Sequence, residues 1–269
     1  MITLASDFGS PYPAAMRGVI LARSDARIVD VAHDLPRHDV RAAAFWLREV
    51  LPYFPPAVHC AVVDPGVGTD RDAVVVRVGE HALVAPDNGV ALPVARRLAG
   101  VDPGTDLGAA GDVADAPPVA AFVVDDEDAA SSTFHGRDVF APAAARVHEA
   151  GVDALAGLDR LEPTDAASLV DCSLPEASVT DGAAEGEVLV VDDFGNVVTN
   201  VPGAFLDGVD EVTVDGERVP VGETFAAVAE GDRLVTVGSH GYVECDVNRG
   251  RGDAAFGLDP GDAVVIRRC

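Results

Sequence analysis

Ile2-Thr3-Leu4-Ala5-Ser6-Asp7-Phe8-Gly9, followed by the helix-patterned segment 13–23 and then by Ile28-Val29-Asp30-Val31-Ala32, decides the architecture of the first half of this chain. Residues 2–6 are an apolar run closed by turn formers and read as a buried strand. Residues 13–23 carry helical spacing, and 28–32 return to a β-branched run. Strand, helix, strand is the unit that sets two parallel strands side by side under a crossover helix. Outward from it the alternation continues. Residues 39–52 read as a helix with Ala, Phe, Trp and Leu on its apolar side, 58–63, 73–78 and 82–84 as strands, and 91–98 as a helix. Residues 119–124 read as a strand and 140–150 as a helix ended by Gly151. The expectation is an α/β domain over residues 1–160, its mostly parallel sheet flanked by helices on both faces.

From 161 to 187 the chain turns polar, acidic and rich in Pro, Ser, Ala and Gly, and it reads as an inter-domain linker. Beyond it, short β-rich runs at 188–191, 197–200, 212–214, 218–221, 233–237, 242–247 and 263–267 are separated by turn signals. Such spacing predicts a small all-β, barrel-like domain over residues 188–269. No internal repeat is visible, and the Ala/Gly/Asp-rich stretch 101–118 reads as an exposed loop.

The 269 residues carry a net charge of −26, and all 19 basic residues are arginine. Without lysine, Schiff-base chemistry and the Walker phosphate loop are excluded. A chain this acidic lacks the basic face that nucleic acid requires. The acids are dispersed rather than blocked, which fits adaptation to a high-salt cytoplasm, where screening removes most self-repulsion, better than the alternative of an acidic field made for a cationic partner. No apolar run is long enough to span a membrane, and the N-terminus lacks the order of a signal peptide, so a soluble cytoplasmic protein is expected. Cys60, Cys172, Cys245 and Cys269 form no C-x-x-C pair, and the first and third of them sit in apolar runs as small hydrophobes.

Three polar sites stand out in the first domain. Asp7 closes the first strand, at the sheet edge where open α/β folds bind ligands; a carboxylate there either accepts from a diol or caps a loop. Asp64 ends the strand 58–63, and Pro65-Gly66-Val67-Gly68 then forces a tight loop; Arg71, seven residues on, is close enough for that loop to fold the two together, or else is a surface arginine neutralised by Asp70 and Asp72. Ser131-Ser132-Thr133-Phe134-His135-Gly136-Arg137-Asp138 places a histidine among small and hydroxylated neighbours just before a helix. Acid, guanidinium and imidazole together can orient and polarise a water. His33, His38, His59, His81 and His148 read as structural. No H-x-x-x-H or H-E-x-x-H spacing occurs, so no metal is expected. In the second domain, Asp192-Asp193-Phe194-Gly195-Asn196 offers an aromatic face and an amide suited to a purine, or else a plain β-turn, and Gly238-Ser239-His240-Gly241-Tyr242 is a second polar loop.

With these blocks in order, together with Ala85-Pro86-Asp87-Asn88-Gly89 and the 239–244 segment with Asn248, the chain resembles the S-adenosylmethionine hydroxide adenosyltransferases end to end. These are also called adenosylmethionine hydrolases, formerly domain of unknown function 62, and are relatives of the adenosyl chloride and fluoride synthases. The resemblance implies a homotrimer with the ligand at the subunit interface, between the first domain of one chain and the second of the next. It implies S-adenosyl-L-methionine as substrate and no separate cofactor. It makes Asp64, Arg71 and His135 the water-handling set that the halide-using relatives lack. It makes Asp7 the ribose-diol carboxylate, Phe194 and Asn196 the adenine side, Asp192 the methionine-ammonium contact, Ser239 the methionine-carboxylate contact, and Trp46 a pocket wall. Ser10-Pro11-Tyr12-Pro13 replaces the Asp-containing loop usual after Gly9, so that loop's contacts to the methionine end are not carried over. Three rival readings are chloride-dependent adenosyl transfer, non-catalytic sensing of S-adenosylmethionine, and a metal-dependent hydrolase.

Overall fold

The structure, a computed structural model, describes residues 1–108, 116–125 and 133–269. Part of the 101–118 loop and Ser131-Ser132 therefore lie outside the described residues. The chain divides into two units, Met1–Ser173 and Leu174–Cys269.

In the first unit the elements run β1 (Ile2–Ser6), α1 (Tyr12–Leu21), β2 (Ile28–Ala32), α2 (Val40–Val50), β3 (Val58–Val62), β4 (Ala73–Val78), β5 (His81–Pro86), α3 (Ala91–Ala99), β6 (Val119–Val124), α4 (Ala141–Ala150) and β7 (Leu161–Thr164). The sheet order is β2-β1-β3-β5-β4-β6-β7. Strand alternation divides the core between its two faces. Ile2, Leu4, Cys60 and Val62 turn toward Met16 and Ile20 of α1 and the alanines of α4. Ala5, Ala61 and Val63 turn toward Ala43, Ala44 and Leu47 of α2 and toward α3. Asp39 starts α2 by accepting the Ala42 N–H at 2.9 Å, and Gly100 ends α3 at φ +68°, a left-handed cap.

The sheet is mixed rather than mostly parallel. β1 pairs in parallel with β2 and β3, and β3 with β5, but β4–β5, β4–β6 and β6–β7 are antiparallel. The cause is local: Gly79 at φ +56° and Glu80 form a two-residue turn between Val78 and His81, which reverses the chain into a hairpin. The stretch read as a linker carries structure. Leu161 is buried against the α4 face as part of β7, so the division falls at Ser173.

On the inner strands Thr3, His59 and His81 form a line. The Thr3 hydroxyl meets His59 Nδ1 at 2.8 Å, and His59 Nε2 meets His81 Nδ1 at 2.9 Å with the rings stacked. Burial, reinforced by the charge His81 would carry, pushes His59 down to about 3, so the ring is neutral in the fold.

The second unit contains β8 (Ser178–Val179), β9 (Ala183–Val191), β10 (Val197–Pro202), β11 (Glu211–Val214), β12 (Glu217–Pro220), β13 (Arg233–Val237), β14 (Tyr242–Val247), α5 (Gly252–Phe256) and β15 (Ala263–Arg268). Its sheet runs β12-β11-β15-β9-β10-β14-β13 with antiparallel neighbours. A bridge from Val221 to Val235 joins the two ends, which makes the sheet a near-barrel around Val188, Val197, Val243, Cys245 and Ile266. Every strand read from the second half falls within one residue of an observed end, except β9 and β10, which run longer.

Candidate active site

Because β1 and β3 are parallel neighbours with Ser6 opposite Val62, Asp7 and Asp64 emerge together at the carboxyl edge of the sheet. Asp7 is 7 % exposed, and its Oδ2 accepts the His38 backbone N–H at 2.8 Å. His38 makes that bond from φ +62°, a left-handed conformation that is uncommon away from glycine and is held here at the ligand edge. Asn88 of the Pro-Asp-Asn-Gly block donates its amide to the Val63 carbonyl at 2.8 Å, which fixes the chain just before Asp64.

The loop after β3 then closes on its own acid. Asp64 accepts the Gly66 N–H at 3.0 Å and the Arg71 guanidinium, which also donates to the Asp72 carbonyl at 2.9 Å. Both side chains of the pair are largely buried. A Cβ on Gly66 would sit 3.2 Å from Arg71 Nε, so glycine lets the guanidinium lie flat over the turn. Burial pushes the Asp64 carboxyl up from its ordinary range, while Arg71, the Gly66 N–H and the charge of His135 pull it back.

His135 is 8 % exposed and enters a single π-helical turn, Gly136–Phe140, that runs on into α4. Gly136 is required by crowding: a Cβ there would meet Phe134, Met16 and Phe8 at 3.0–3.2 Å. Phe8, Tyr12 and Phe134 pack edge to face with centroids 5.2–6.3 Å apart, and Arg137 lies 5.3 Å over the Phe134 ring. Asp7, Asp64, His135, Phe8, Phe134 and Arg37 line one cleft of about 130 Å³. Two carboxylates, an imidazole, a guanidinium and two aromatic rings thus face one space.

The other expected residues lie outside this cleft. Trp46 is not among the lining residues; it packs beside Phe45 against the α2–α3 core. In the second unit, Asp192 accepts both the backbone N–H of Asn196 at 2.8 Å and its side-chain amide at 2.9 Å, closing the β9–β10 turn. Gly195 takes φ +89° in that turn and leaves Phe194 79 % exposed. Ser239 is exposed in the β13–β14 turn.

A Ser6–His33–Asp30 line, at 2.7 and 2.9 Å, has the order of a nucleophile relay, but Ser6 is fully buried and serves to tie β1 to β2. Among the described residues, the His and carboxylate group close enough to share a cation is Asp25, His148 and Glu149, which lies at the opposite edge of the sheet from the cleft.

Residues 2–156 match the SAM hydroxide adenosyltransferase N-terminal domain and residues 186–265 its C-terminal domain. The chain belongs to the SAM hydroxide adenosyltransferase family. Relatives named (R)-S-adenosyl-L-methionine hydrolase are 40 % identical in Salinispora tropica, over 98 % of this chain and 97 % of that protein, and 41 % identical in Thermus thermophilus, over 97 % of each. A solved structure described as an uncharacterized conserved protein from Thermotoga maritima superposes with a TM-score of 0.78 at 30 % identity, covering both chains completely. A conserved hypothetical protein from Thermus thermophilus superposes at 0.74 with 38 % identity, covering 100 % of this chain and 99 % of the other.

Within this family member, the aromatic wall is what sequence reading passes over. Tyr12 belongs to the Ser10-Pro11-Tyr12-Pro13 departure, and its ring joins Phe8 and Phe134. The signal is two aromatics in glycine-containing turns and a third at the start of α1, visible in sequence but without a spacing rule to join them.

Proposed function

We propose that this protein hydrolyses S-adenosyl-L-methionine to adenosine and L-methionine by in-line attack of water at C5′. The observation that carries this reading is the convergence of Asp7, Asp64 and His135 on one cleft, with Arg71 locked on Asp64. In this reading Asp7 takes the ribose diol. His135 and the Asp64–Arg71 pair orient the water, and His135 is placed to accept its proton. The sulfonium carries its own leaving-group activation, because methionine departs as a neutral thioether. No metal and no covalent intermediate is needed, and the site's tasks are positioning and exclusion of other nucleophiles.

The second domain would hold the remainder of the substrate. Phe194 offers a free ring face to the adenine, and Asn196, with its amide nitrogen committed to Asp192, keeps its carbonyl oxygen for the purine amino group. Asp192 meets the methionine ammonium and Ser239 the carboxylate. As in the name of the relatives, the preferred substrate is the (R) epimer at sulfur. We further propose a cytoplasmic homotrimer working in high salt, consistent with the dispersed charge of −26. No helix among the described residues is long and apolar enough to cross a membrane.

The test is product analysis after incubation with each sulfonium epimer, in chloride and in a chloride-free salt, with and without chelator. Adenosine and methionine in every arm, with faster consumption of the (R) epimer, are expected. A chlorinated nucleoside would move the protein to the halide branch, intact ligand to a sensor, and chelator-sensitive turnover to a metallohydrolase. Light scattering reports the trimer.

A further inference from the structure

On β14 the side chains alternate between two destinations. Val243 and Cys245 enter the barrel core, while Glu244 and Asp246 share the opposite face, two residues apart on one strand. That face is also buried: Glu244 is 8 % exposed and Asp246 0 %. Neither carboxylate oxygen of Asp246 has a hydrogen-bond partner among the described residues. Register brings a third carboxyl into the same row. Val197 of β10 pairs with both Val191 of β9 and Cys245 of β14, so one residue further along Asp192, Asn196 and Asp246 follow each other across three strands. Glu244 in turn packs against the Ser239 turn so closely that a Cβ on Gly238 would fall 1.7 Å from its Oε1.

Of the other titratable groups near this face, His240 lies in the turn against which Glu244 packs and has partners of its own, and two arginines are bonded elsewhere. Arg251, before α5, is bonded to Asp253 and to the Asp193 carbonyl, and Arg233 of β13 goes to Glu217. Opposite Glu244 and Asp246, β13 presents Thr236 and Leu234 and β10 presents Val198. Glu244 and Asp246 are adjacent buried carboxyls facing a third, the half-buried Asp192, which also feels the charge of Arg251; with no ion pair to Glu244 or Asp246 among the described residues, these two resist being ionised together. Burial, followed by the charge of Asp192, pushes Glu244 up to about 7, and burial, followed by Glu244 and Asp192, pushes Asp246 up to about 8.

We propose that Asp246 is a positioning residue that shares one proton with Glu244, so that the Asp192–Glu244–Asp246 face receives the primary ammonium group of the substrate and releases that proton as it does so. The inference rests on the reading that the second domain holds the methionine end. Its atoms balance simply: the ammonium replaces the shared proton as the positive charge among the carboxyls, and the proton leaves to solvent. Asp246 does not touch the ligand, being fully enclosed; it sets the charge of the group that does. The consequence is linkage, with affinity rising with pH across the range in which the free pair still holds its proton.

The experiment measures KM and kcat for S-adenosyl-L-methionine between pH 6 and 9 in the wild type and in Asp246→Asn. Proton release on titrating L-methionine into the adenosine-saturated wild type is measured in two buffers of different ionisation enthalpy. In the wild type, KM is expected to fall about tenfold per pH unit on the acid side and to rise again toward pH 9 as the substrate's own ammonium loses its proton, with kcat following a separate profile. Asp246→Asn keeps the shape, removes the repulsion and flattens KM over that range. Methionine binding at pH 7 should release a substantial fraction of one proton, and 4-methylsulfanylbutanoate, which lacks the ammonium, should release none. A KM independent of pH in the wild type, or a wild type that binds methionine without releasing protons, overturns the proposal and needs no variant to fold. Absence of hydrolysis of either epimer would instead overturn the functional reading on which it rests.

Discussion

The cleft of the first unit and the carboxyl face of the second handle charge in opposite ways. Around Asp64 each charge has a partner inside the same chain: a backbone N–H, the Arg71 guanidinium and the nearby His135. Asp246 has none among the described residues, and in a chain of 19 arginines and no lysine that is a matter of placement rather than supply. A self-compensated set is ready to act on a neutral molecule such as water. An uncompensated acidic set is incomplete until something cationic arrives. The difference predicts that substitutions in the first unit reduce turnover, and that those in the second change how tightly substrate is held.

The largest effect is expected of His135→Ala. If the imidazole orients the water and accepts its proton, kcat should fall by about 10²–10⁴ with KM little changed. Asp64→Asn should behave alike, since it loses the anchor for Arg71. A fall in substrate affinity at constant kcat would place His135 with the binding groups and collapse the distinction.

The next test uses stability and expects opposite signs in the two units. His59 is pushed down to about 3 in the fold against an ordinary 6.5, so its contribution is fully present above about 6.5 and is lost as pH falls from there toward 3. Between pH 7 and 4 this amounts to about 3 kcal/mol at a factor of ~1.4 kcal/mol per pH unit. His59→Asn should remove most of that slope. Asp246 leans the other way: pushed up to about 8, it favours the fold below about 3.8, and that contribution is lost as pH rises toward 8. Domain-resolved hydrogen exchange at pH 5 and pH 9 should show the first unit loosening in acid and the second in alkali. Asp246→Asn should stabilise the second unit increasingly as pH rises from about 3.8 toward 8.

A smaller effect follows from Gly238. A methyl group there must displace the Glu244 carboxyl, and overpacking of this kind costs about 1–3 kcal/mol. Gly238→Ala should raise KM and lower the urea midpoint of the second unit, leaving the first unit's transition in place. An unchanged KM would detach Glu244 from substrate holding.

How much of this is legible in the sequence differs by the kind of signal. The apolar run Ile2–Ser6 and the Pro65–Gly68 turn carry their own meaning, because a buried strand and a forced loop are local facts of sequence. Arg71 can be joined to Asp64 since seven residues of glycine-rich loop permit only a near return. The β4–β5 hairpin that begins the antiparallel half of the first sheet is hidden in one glycine, Gly79, which reads as an ordinary strand end. Residue type and the resemblance assign Trp46 to the pocket, whereas its position on α2 directs it to the α2–α3 core. Asp246 escapes notice for the opposite reason. In Tyr242–Val247 it looks like the polar half of an alternating strand, and only the cross-strand register with Asn196 and Asp192 shows that its face is closed.

The mildest prediction concerns Phe194, the ring that stands 79 % exposed on the β9–β10 turn. An exposed aromatic buries little of itself in the free protein, so Phe194→Ala should shift the unfolding free energy by less than about 0.5 kcal/mol, as for surface changes generally. Its cost should surface only when a purine is present. Stacking of a base on an aromatic ring contributes roughly 1–3 kcal/mol, and a ring on a turn belongs at the lower end, which corresponds to about a fivefold rise in KM. Because adenine lies remote from C5′, kcat should stay within about twofold. Equilibrium denaturation and initial rates on the same preparation decide it. A Phe194→Ala protein with wild-type KM would mean that the second unit holds the substrate through its carboxyl face alone, and one with lowered kcat would mean that the adenine contact aligns the reacting carbon.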